Sequence, residues 1–148
     1  MNFKLKIAGL AAGAAVMSML TSAVSINNVP LEVGNQAPEL SITDKDGQTL
    51  SLNELTGEKV IMHFWSMNDA ESRISNIRLS RDAERQGARF ISMCVDSDRK
   101  LAEEVMRADN LPRETRFYAD ESTKDNYMLE AGVRTVKIDP YGIVAAID

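Results

Sequence analysis

Hydrophobic and polar positions follow two different periods along the chain. Residues 59–65 and 89–96 are nearly continuous apolar runs that contain β-branched and aromatic side chains, which is typical of buried strands. Residues 40–43 alternate between apolar and polar side chains, as in a half-buried strand. Residues 48–50 follow a turn and predict its hairpin partner. The pattern therefore begins with a strand pair and continues into a buried sheet.

Helical spacing appears between and after the buried strands. Ala70, Ile74 and Ile77 are spaced by four and three residues and predict the inward face of a helix. A second helix is predicted to face inward with Leu101, Val105 and Ala108, with Ala102 and Met106 beside this stripe. Short apolar segments at 116–118, 135–138 and 143–147 predict strands, with a third helix between the first two. The predicted order is strand pair, strand, helix, strand, helix, strand, helix and hairpin, which includes a βαβ crossover.

The first 23 residues have the pattern of a secretory signal. Lys4 and Lys6 precede an apolar stretch at 7–20, and small residues follow at 21–23. An uncleaved membrane anchor is the alternative, although the stretch is short for a bilayer span. We expect a signal peptide at 1–23, a linker at 24–33 and one domain at 34–148, in an exported protein of the periplasm or cell envelope.

Charge and cysteine content exclude several functions. The chain has 17 Lys and Arg against 22 Asp and Glu, and its sequence shows no basic cluster. We therefore expect neither nucleic acid nor, after signal cleavage, a membrane as a partner. One Cys and one His make an intrachain disulfide impossible and a zinc site improbable, so no metal and no cofactor are expected.

The turn after the 59–65 strand carries the clearest resemblance to a known family. Residues 64–73, Phe-Trp-Ser-Met-Asn-Asp-Ala-Glu-Ser-Arg, resemble the active-site segment of envelope thiol-disulfide oxidoreductases in the thioredoxin-like superfamily. That superfamily is also related to the alkyl hydroperoxide reductase and thiol-specific antioxidant group. Residues 34–38 and 138–142 also match. The resemblance implies an α/β thioredoxin-like fold, with a central mixed sheet flanked by helices and an N-terminal β-hairpin.

Several departures make the chain look like a degenerate member of that family. The two cysteines of the family's Cys-x-x-Cys motif fall on Asp69 and Ser72, and Asn68 stands where a Trp normally precedes them. No proline occupies residues 133–136, where the family has a cis-proline. The family's C-terminal helix has no counterpart before Asp148, so we expect one face of the sheet to be less covered.

The substitutions favour binding over catalysis at this turn. Asp69 is expected to cap the helix, and Ser72 has no neighbouring base to activate it. Our leading hypothesis is a protein- or peptide-binding module in the envelope, without dithiol redox activity. Its expected binding groove consists of Trp65, Ser66, Met67, Asn68, Asp69 and Arg73.

Other assignments of single residues remain open. A divergent oxidoreductase or peroxidase would have to use Cys94, which lies in an apolar strand where burial makes a thiol inert. A degenerate paralogue with a marginally stable fold is a third hypothesis. His63 in a buried strand is more often a hydrogen-bonded core residue than a functional one. The arginines of the first helix predict a solvated face rather than an anion site.

Overall fold

The computed structural model describes residues 29–127, 129 and 134–148. It contains seven strands: β1 (Ser41–Thr43), β2 (Thr49–Ser51), β3 (Val60–Trp65), β4 (Arg89–Cys94), β5 (Arg116–Tyr118), β6 (Thr135–Ile138) and β7 (Val144–Ile147). Its α-helices are α1 (Ala70–Gln86), α2 (Arg99–Ala108) and α3 (Glu121–Asn126). Short 3₁₀ turns lie at Leu52–Leu55 and Arg113–Thr115. The predicted element order is confirmed for these residues.

The seven strands form one mixed sheet in the order β2-β1-β5-β4-β3-β6-β7. Strands β3, β4 and β5 are parallel, while β6 pairs antiparallel with β3 and β1 pairs antiparallel with β5. Two crossovers therefore exist, one through α1 and one through α2, where the sequence analysis counted one. Because β3, β4 and β5 run in the same direction, their carboxyl ends and the turns that follow them meet at one edge of the sheet.

Each face of the sheet has its own hydrophobic core. Helices α1 and α2 cover one face, where Leu79, Ala83, Ala102 and Met106 pack against alternate residues of β3, β4 and β5. The other face is covered by the N-terminal segment, the first 3₁₀ turn and Tyr127 at the end of α3. The strands β3 and β4 are thus buried on both sides, which accounts for their continuous apolar sequences.

The inward faces of α1 and α2 differ from the prediction. Ala70 is exposed and Ile74 is 66% exposed, whereas the buried side chains of α1 are Ser72, Asn76, Leu79 and Ala83. Ile77 is only partly buried. In α2, Leu101 and Ala108 point outward, and Ala102 and Met106 are buried. The apolar spacing misled the prediction because two polar residues of α1 face the sheet.

The segment before β1 belongs to the domain. Leu31, which falls in the predicted linker at 24–33, is 5% exposed and packs in the core. The backbone of Gly34 and Ala37 donates to Val144 and Gly142 of the β7 hairpin, at 2.8 and 2.9 Å. Gly142 has a φ of +82°, and a Cβ there would lie 2.8 Å from the side chain of Gln36, so glycine is required. The ordered domain therefore begins before residue 34.

Some predictions fall outside the described residues. These are the signal peptide at 1–23, the start of the linker, and the end of the third helix, for which the sequence predicts Met128 and Ala131 facing inward and Gly132 as the last residue. Within the described ranges, no helix has the length and apolar character needed to cross a membrane.

Candidate functional site

The turn that joins β3 to α1 begins beside the end of β4. Trp65, the last residue of β3, pairs in register with Cys94, and its carbonyl accepts a hydrogen bond from the Val95 amide at 3.0 Å. The Trp65 side chain is 0% exposed, and its indole Nε1 donates to Ser92 Oγ at 2.9 Å. The sequence analysis placed Trp65 in the binding groove. This is corrected, because a fully buried indole cannot touch a ligand at the surface.

Asp96, just beyond β4, holds this turn in place. Its Oδ1 accepts from Ser66 Oγ at 2.9 Å, and its Oδ2 accepts from the Met67 amide at 2.6 Å. Residues 96–98 lie between a strand and a helix and are predicted to cap α2; the capping carboxylate is that of Asp98, which accepts from the Leu101 amide at 3.0 Å. Asp96 was missed as a site residue. Its position after a parallel strand next to β3 was the available signal.

Asp69 and Ser72, which the sequence resemblance aligns with the family's two cysteines, both have structural roles. Asp69 is the N-cap of α1, and its Oδ1 accepts from the amides of Glu71 and Ser72 at 3.1 and 3.4 Å. Ser72 is 4% exposed; its hydroxyl accepts from the Ser66 amide at 3.2 Å and donates to the Asp69 carbonyl at 2.9 Å. The predicted capping by Asp69 is confirmed. The hydrogen bonds of these two side chains therefore all lie within residues 66–72 and stabilise the turn.

Cys94, the last residue of β4, lies beside the same turn. Its Sγ is 3.3 Å from Asp96 Oδ2, the oxygen that also binds the Met67 amide. The residue is 0% exposed. Burial raises the pKa of the Cys94 thiol to about 12, and the nearby Asp96 carboxylate further disfavours a thiolate through charge repulsion. At neutral pH this sulfur is a protonated thiol without access to solvent.

Arg73 follows the turn but is held by α2. Its Nε and Nη2 donate to the two carboxylate oxygens of Asp109 at 2.8 and 2.6 Å. This two-point ion pair ties the start of α1 to the end of α2. Arg73 is therefore a strut between the two helices rather than a free cation of the groove, although its side chain is 40% exposed.

His63 lies in β3 beneath α1 and has two hydrogen-bond partners. Its Nδ1 is 3.0 Å from Thr135 Oγ1, and its Nε2 is 2.9 Å from the Ser72 carbonyl. Since a carbonyl only accepts, Nε2 carries the proton and Nδ1 accepts from the Thr135 hydroxyl. Burial is the main cause that lowers the pKa of His63 below its ordinary value. The residue is the hydrogen-bonded core histidine that the sequence predicted.

What remains open to a partner is a small surface at the tip of the turn. Asn68 is exposed, while Ser66, Met67 and Asp69 are partly exposed. In the part of the chain that the structure describes, no group of three or more His, Cys, Asp or Glu side chains could hold a metal ion.

Comparison with solved structures identifies the fold. The thioredoxin domain of a thiol-disulfide oxidoreductase from Bacteroides vulgatus matches with a TM-score of 0.68 and 18% identity, over 80% of this chain and 89% of that one. A thiol:disulfide interchange protein from a Bacteroides species matches with a TM-score of 0.66 and 18% identity, over 80% and 82%. The chain has a thioredoxin-like fold.

A third thioredoxin-like neighbour is a secreted disulfide oxidoreductase from Mycobacterium tuberculosis, with a TM-score of 0.63 and 17% identity over 74% of this chain and 81% of that one. No family model and no curated protein matches the sequence. The predicted fold class is therefore confirmed by shape.

Proposed function

We propose that this protein is an exported thioredoxin-fold module that has no dithiol redox activity and binds a protein or peptide in the cell envelope. One observation carries the proposal. Asp69 and Ser72, at the positions that the resemblance aligns with the dithiol, both have side chains engaged in hydrogen bonds within the β3–α1 turn.

Thiol exchange needs chemistry that these side chains lack. A thiolate must attack a disulfide sulfur, and a second thiol must then release the mixed disulfide. A helix N-terminus supports the attacking thiolate with its free amides and dipole. In this chain the Asp69 carboxylate accepts from the amides at the start of α1, and a carboxylate cannot exchange with a disulfide.

The geometry of Cys94 opposes the alternative function, an oxidoreductase or peroxidase that uses this single thiol. The sulfur is 0% exposed and its pKa is raised to about 12. A reactive cysteine needs a thiolate that its substrate can reach. Cys94 is neither ionised at neutral pH nor accessible to a substrate in this structure.

The turn offers a fixed surface for binding. The bonds from Asp96 to Ser66 and Met67 hold the backbone before binding occurs, which lowers the entropic cost of association. The exposed Asn68 amide can both donate to and accept from a peptide backbone. The Met67 thioether is a flexible apolar contact beside it. Asn68, Met67 and Asp69 are therefore the residues we assign to the partner.

Insulin reduction tests the absence of redox activity. We expect the purified protein with dithiothreitol to precipitate insulin no faster than dithiothreitol alone, with thioredoxin as the positive control. Turnover above that blank would refute the proposal.

Capture from an envelope extract tests the binding surface. Asn68→Arg changes the exposed tip without touching the helix cap, so we expect it to lose captured partners. Tyr141→Arg is the matched control, because Tyr141 is 83% exposed and lies in the β6–β7 turn. Equal loss in both variants, or no loss in Asn68→Arg, would contradict the assigned surface. Cell fractionation and the N-terminal mass of the mature protein test export and cleavage near residue 23.

A further inference from the structure

A polar cleft of about 540 Å³ lies between α2, β5 and the β1–β2 turn, separate from the β3–α1 turn. Six cationic side chains line it: Lys45, Arg99, Lys100, Arg107, Arg113 and Arg116. Three acidic residues share its walls. The sequence analysis found no basic cluster, and this is corrected: the fold gathers cations that are far apart in the sequence of an acidic protein.

Two of these arginines are already neutralised. Arg113 pairs with Asp46 of the β1–β2 turn, and Arg116 Nη1 is 2.8 Å from Glu103 Oε1. The other oxygen of Glu103 accepts from the Tyr118 hydroxyl at 3.0 Å. Both oxygens of Glu103 are thus engaged on the wall of the cleft, so this carboxylate is not free to neutralise a further cation.

The cleft keeps an excess of positive charge, since its six cations are opposed by four carboxylates, the three on its walls and Asp46 beside them. Asp44 uses Oδ1 to accept from the amides of Asp46 and Gln48 at 2.8 and 2.9 Å, which fixes the turn. Lys45 shares Asp46 with Arg113, at 2.9 Å from its Oδ1. Only Glu104 has no such engagement among the described residues, and it is exposed.

Three cations of α2 have no carboxylate partner within the described part of the chain. Arg99, Lys100 and Arg107 form no ion pair there, and the Arg99 guanidinium lies over the Tyr118 ring at 5.3 Å from its centroid. Stacking on the ring orients Arg99 and leaves its N–H groups available. Arg99 and Arg107 are two helical steps of four residues apart, so they lie on one face, separated by about 12 Å along the axis.

We propose that this cleft binds a small organic polyanion that carries two or more carboxylate or phosphate groups. Arg99 and Lys100 would hold one anionic group near the start of α2, and Arg107 would hold another near its end. The cleft volume of about 540 Å³ is that of small-ligand sites. The guanidinium group of arginine can bind either a carboxylate or a phosphate through two hydrogen bonds, so ligands of both kinds fit the site. The site is independent of the function proposed for the β3–α1 turn.

Titration calorimetry with citrate and with tripolyphosphate tests the site on the mature protein at low ionic strength. We expect one molecule of at least one anion to bind, and to bind more weakly as sodium chloride rises from about 20 to about 200 mM. Preference for citrate would assign a carboxylate ligand, and preference for tripolyphosphate a phosphate ligand.

The decisive comparison uses two double variants with the same loss of charge. Arg99→Gln with Arg107→Gln is expected to weaken binding roughly tenfold or more, because two charge-assisted contacts are lost. Arg78→Gln with Arg81→Gln removes two exposed arginines of α1 outside the cleft, and is expected to change binding less than about twofold. If the first double variant does not fold, as judged by circular dichroism, Lys100→Gln replaces it with an expected loss of about threefold or more.

Three results would overturn the proposal. One is the absence of detectable binding by both anions at concentrations up to about 1 mM. Another is equal weakening in the cleft and control variants, which would indicate non-specific charge attraction. The third is binding of a tetraglutamate peptide without binding of either small anion, since this would indicate an acidic protein partner instead.

Discussion

The β3–α1 turn and the α2–β5 cleft treat polar side chains in opposite ways. In the turn, carboxylate and hydroxyl groups are matched to amides nearby, as with Asp96 and Met67 at 2.6 Å or Ser72 and Ser66 at 3.2 Å. In the cleft, Arg99, Lys100 and Arg107 have no carboxylate partner among the described residues. Satisfied groups fix a backbone, whereas unpaired charges beside an open volume are available to a ligand. If this contrast is correct, substitutions of the hydrogen-bonded groups should change stability strongly, and substitutions of the unpaired cations should change it little.

The largest effect is expected from Asp96→Ala. This change removes the acceptor for Ser66 Oγ and the Met67 amide, and we expect it to lower the free energy of unfolding by about 2–3 kcal/mol. Urea unfolding measures this loss. Ser97→Ala, at an exposed neighbouring position, is the control and should change stability by less than about 0.5 kcal/mol. Equal stability of Asp96→Ala and the wild type would show that the turn is not held by this carboxylate.

The next effect has the opposite sign. Asn76 in α1 is 0% exposed, and neither its amide nitrogen nor its oxygen has a hydrogen-bond partner among the described residues. Asn76→Leu replaces these atoms by apolar ones of similar shape, so we expect a gain of about 1–2 kcal/mol in the free energy of unfolding. Asn76→Ala is the control, since it removes the same polar atoms but leaves a cavity. A loss in Asn76→Leu as large as in the alanine variant would mean that the amide is satisfied.

Alkaline pH should weaken the region beneath the turn. The pKa of Cys94 is raised to about 12 in the folded protein, so the unfolded chain releases this proton first as pH rises above about 9. The contribution of Cys94 to stability is therefore full below pH 9 and decreases towards pH 12, by at most about 1.4 kcal/mol per pH unit. Urea unfolding from pH 8 to pH 11 should show a smaller decrease in Cys94→Ala, in which only the tyrosines and other groups titrate. If stability fell equally with pH in the wild type and in Cys94→Ala, the raised pKa of the Cys94 thiol would be contradicted.

The smallest effect sharpens the cleft side of the comparison. Arg107→Gln removes an exposed cation that makes no ion pair in the described residues, so we expect the free energy of unfolding to change by less than about 0.5 kcal/mol. Arg116→Gln is the contrasting variant, because it removes the donor to Glu103 Oε1 and to the Leu111 carbonyl and should destabilise more. A similar decrease in the free energy of unfolding in both variants would mean that Arg107 stabilises the fold and is not an unpaired cation available to a ligand.

The fold could be predicted from sequence because its central strands are buried on both faces. Apart from His63, Arg89 and Ser92, all residues of β3 and β4 are apolar. Short apolar runs of this kind are typical of strands that are buried on both faces. The helix faces were harder to predict. Apolar spacing indicated Ile74, but α1 buries Ser72, whose carbonyl lies 2.9 Å from His63 Nε2 of β3, and Asn76, whose amide has no hydrogen-bond partner among the described residues. The spacing of apolar residues along a helix does not reveal which of its polar side chains will be buried against the sheet.

The candidate site was predicted only in part for the same reason. The cap by Asp69 is local, because its carboxylate accepts from amides two and three residues further along the chain. The bonds of Asp96 to the turn, and of Arg73 to Asp109, span about 30 residues or more, and no local signal reports such distances. The cationic cleft likewise joins positions from Lys45 to Arg116, which lie in the β1–β2 turn, α2, the second 3₁₀ turn and β5.

Alkylation of the native protein by iodoacetamide tests the central claim most directly, because Cys94 is the only cysteine of the chain and thiol exchange needs a cysteine thiolate. With mass spectrometry as the readout, we expect no adduct in native buffer at neutral pH and one adduct per chain in denaturant. Rapid formation of one adduct in native buffer would show an open, reactive thiol beneath the turn and would contradict the redox-inert module.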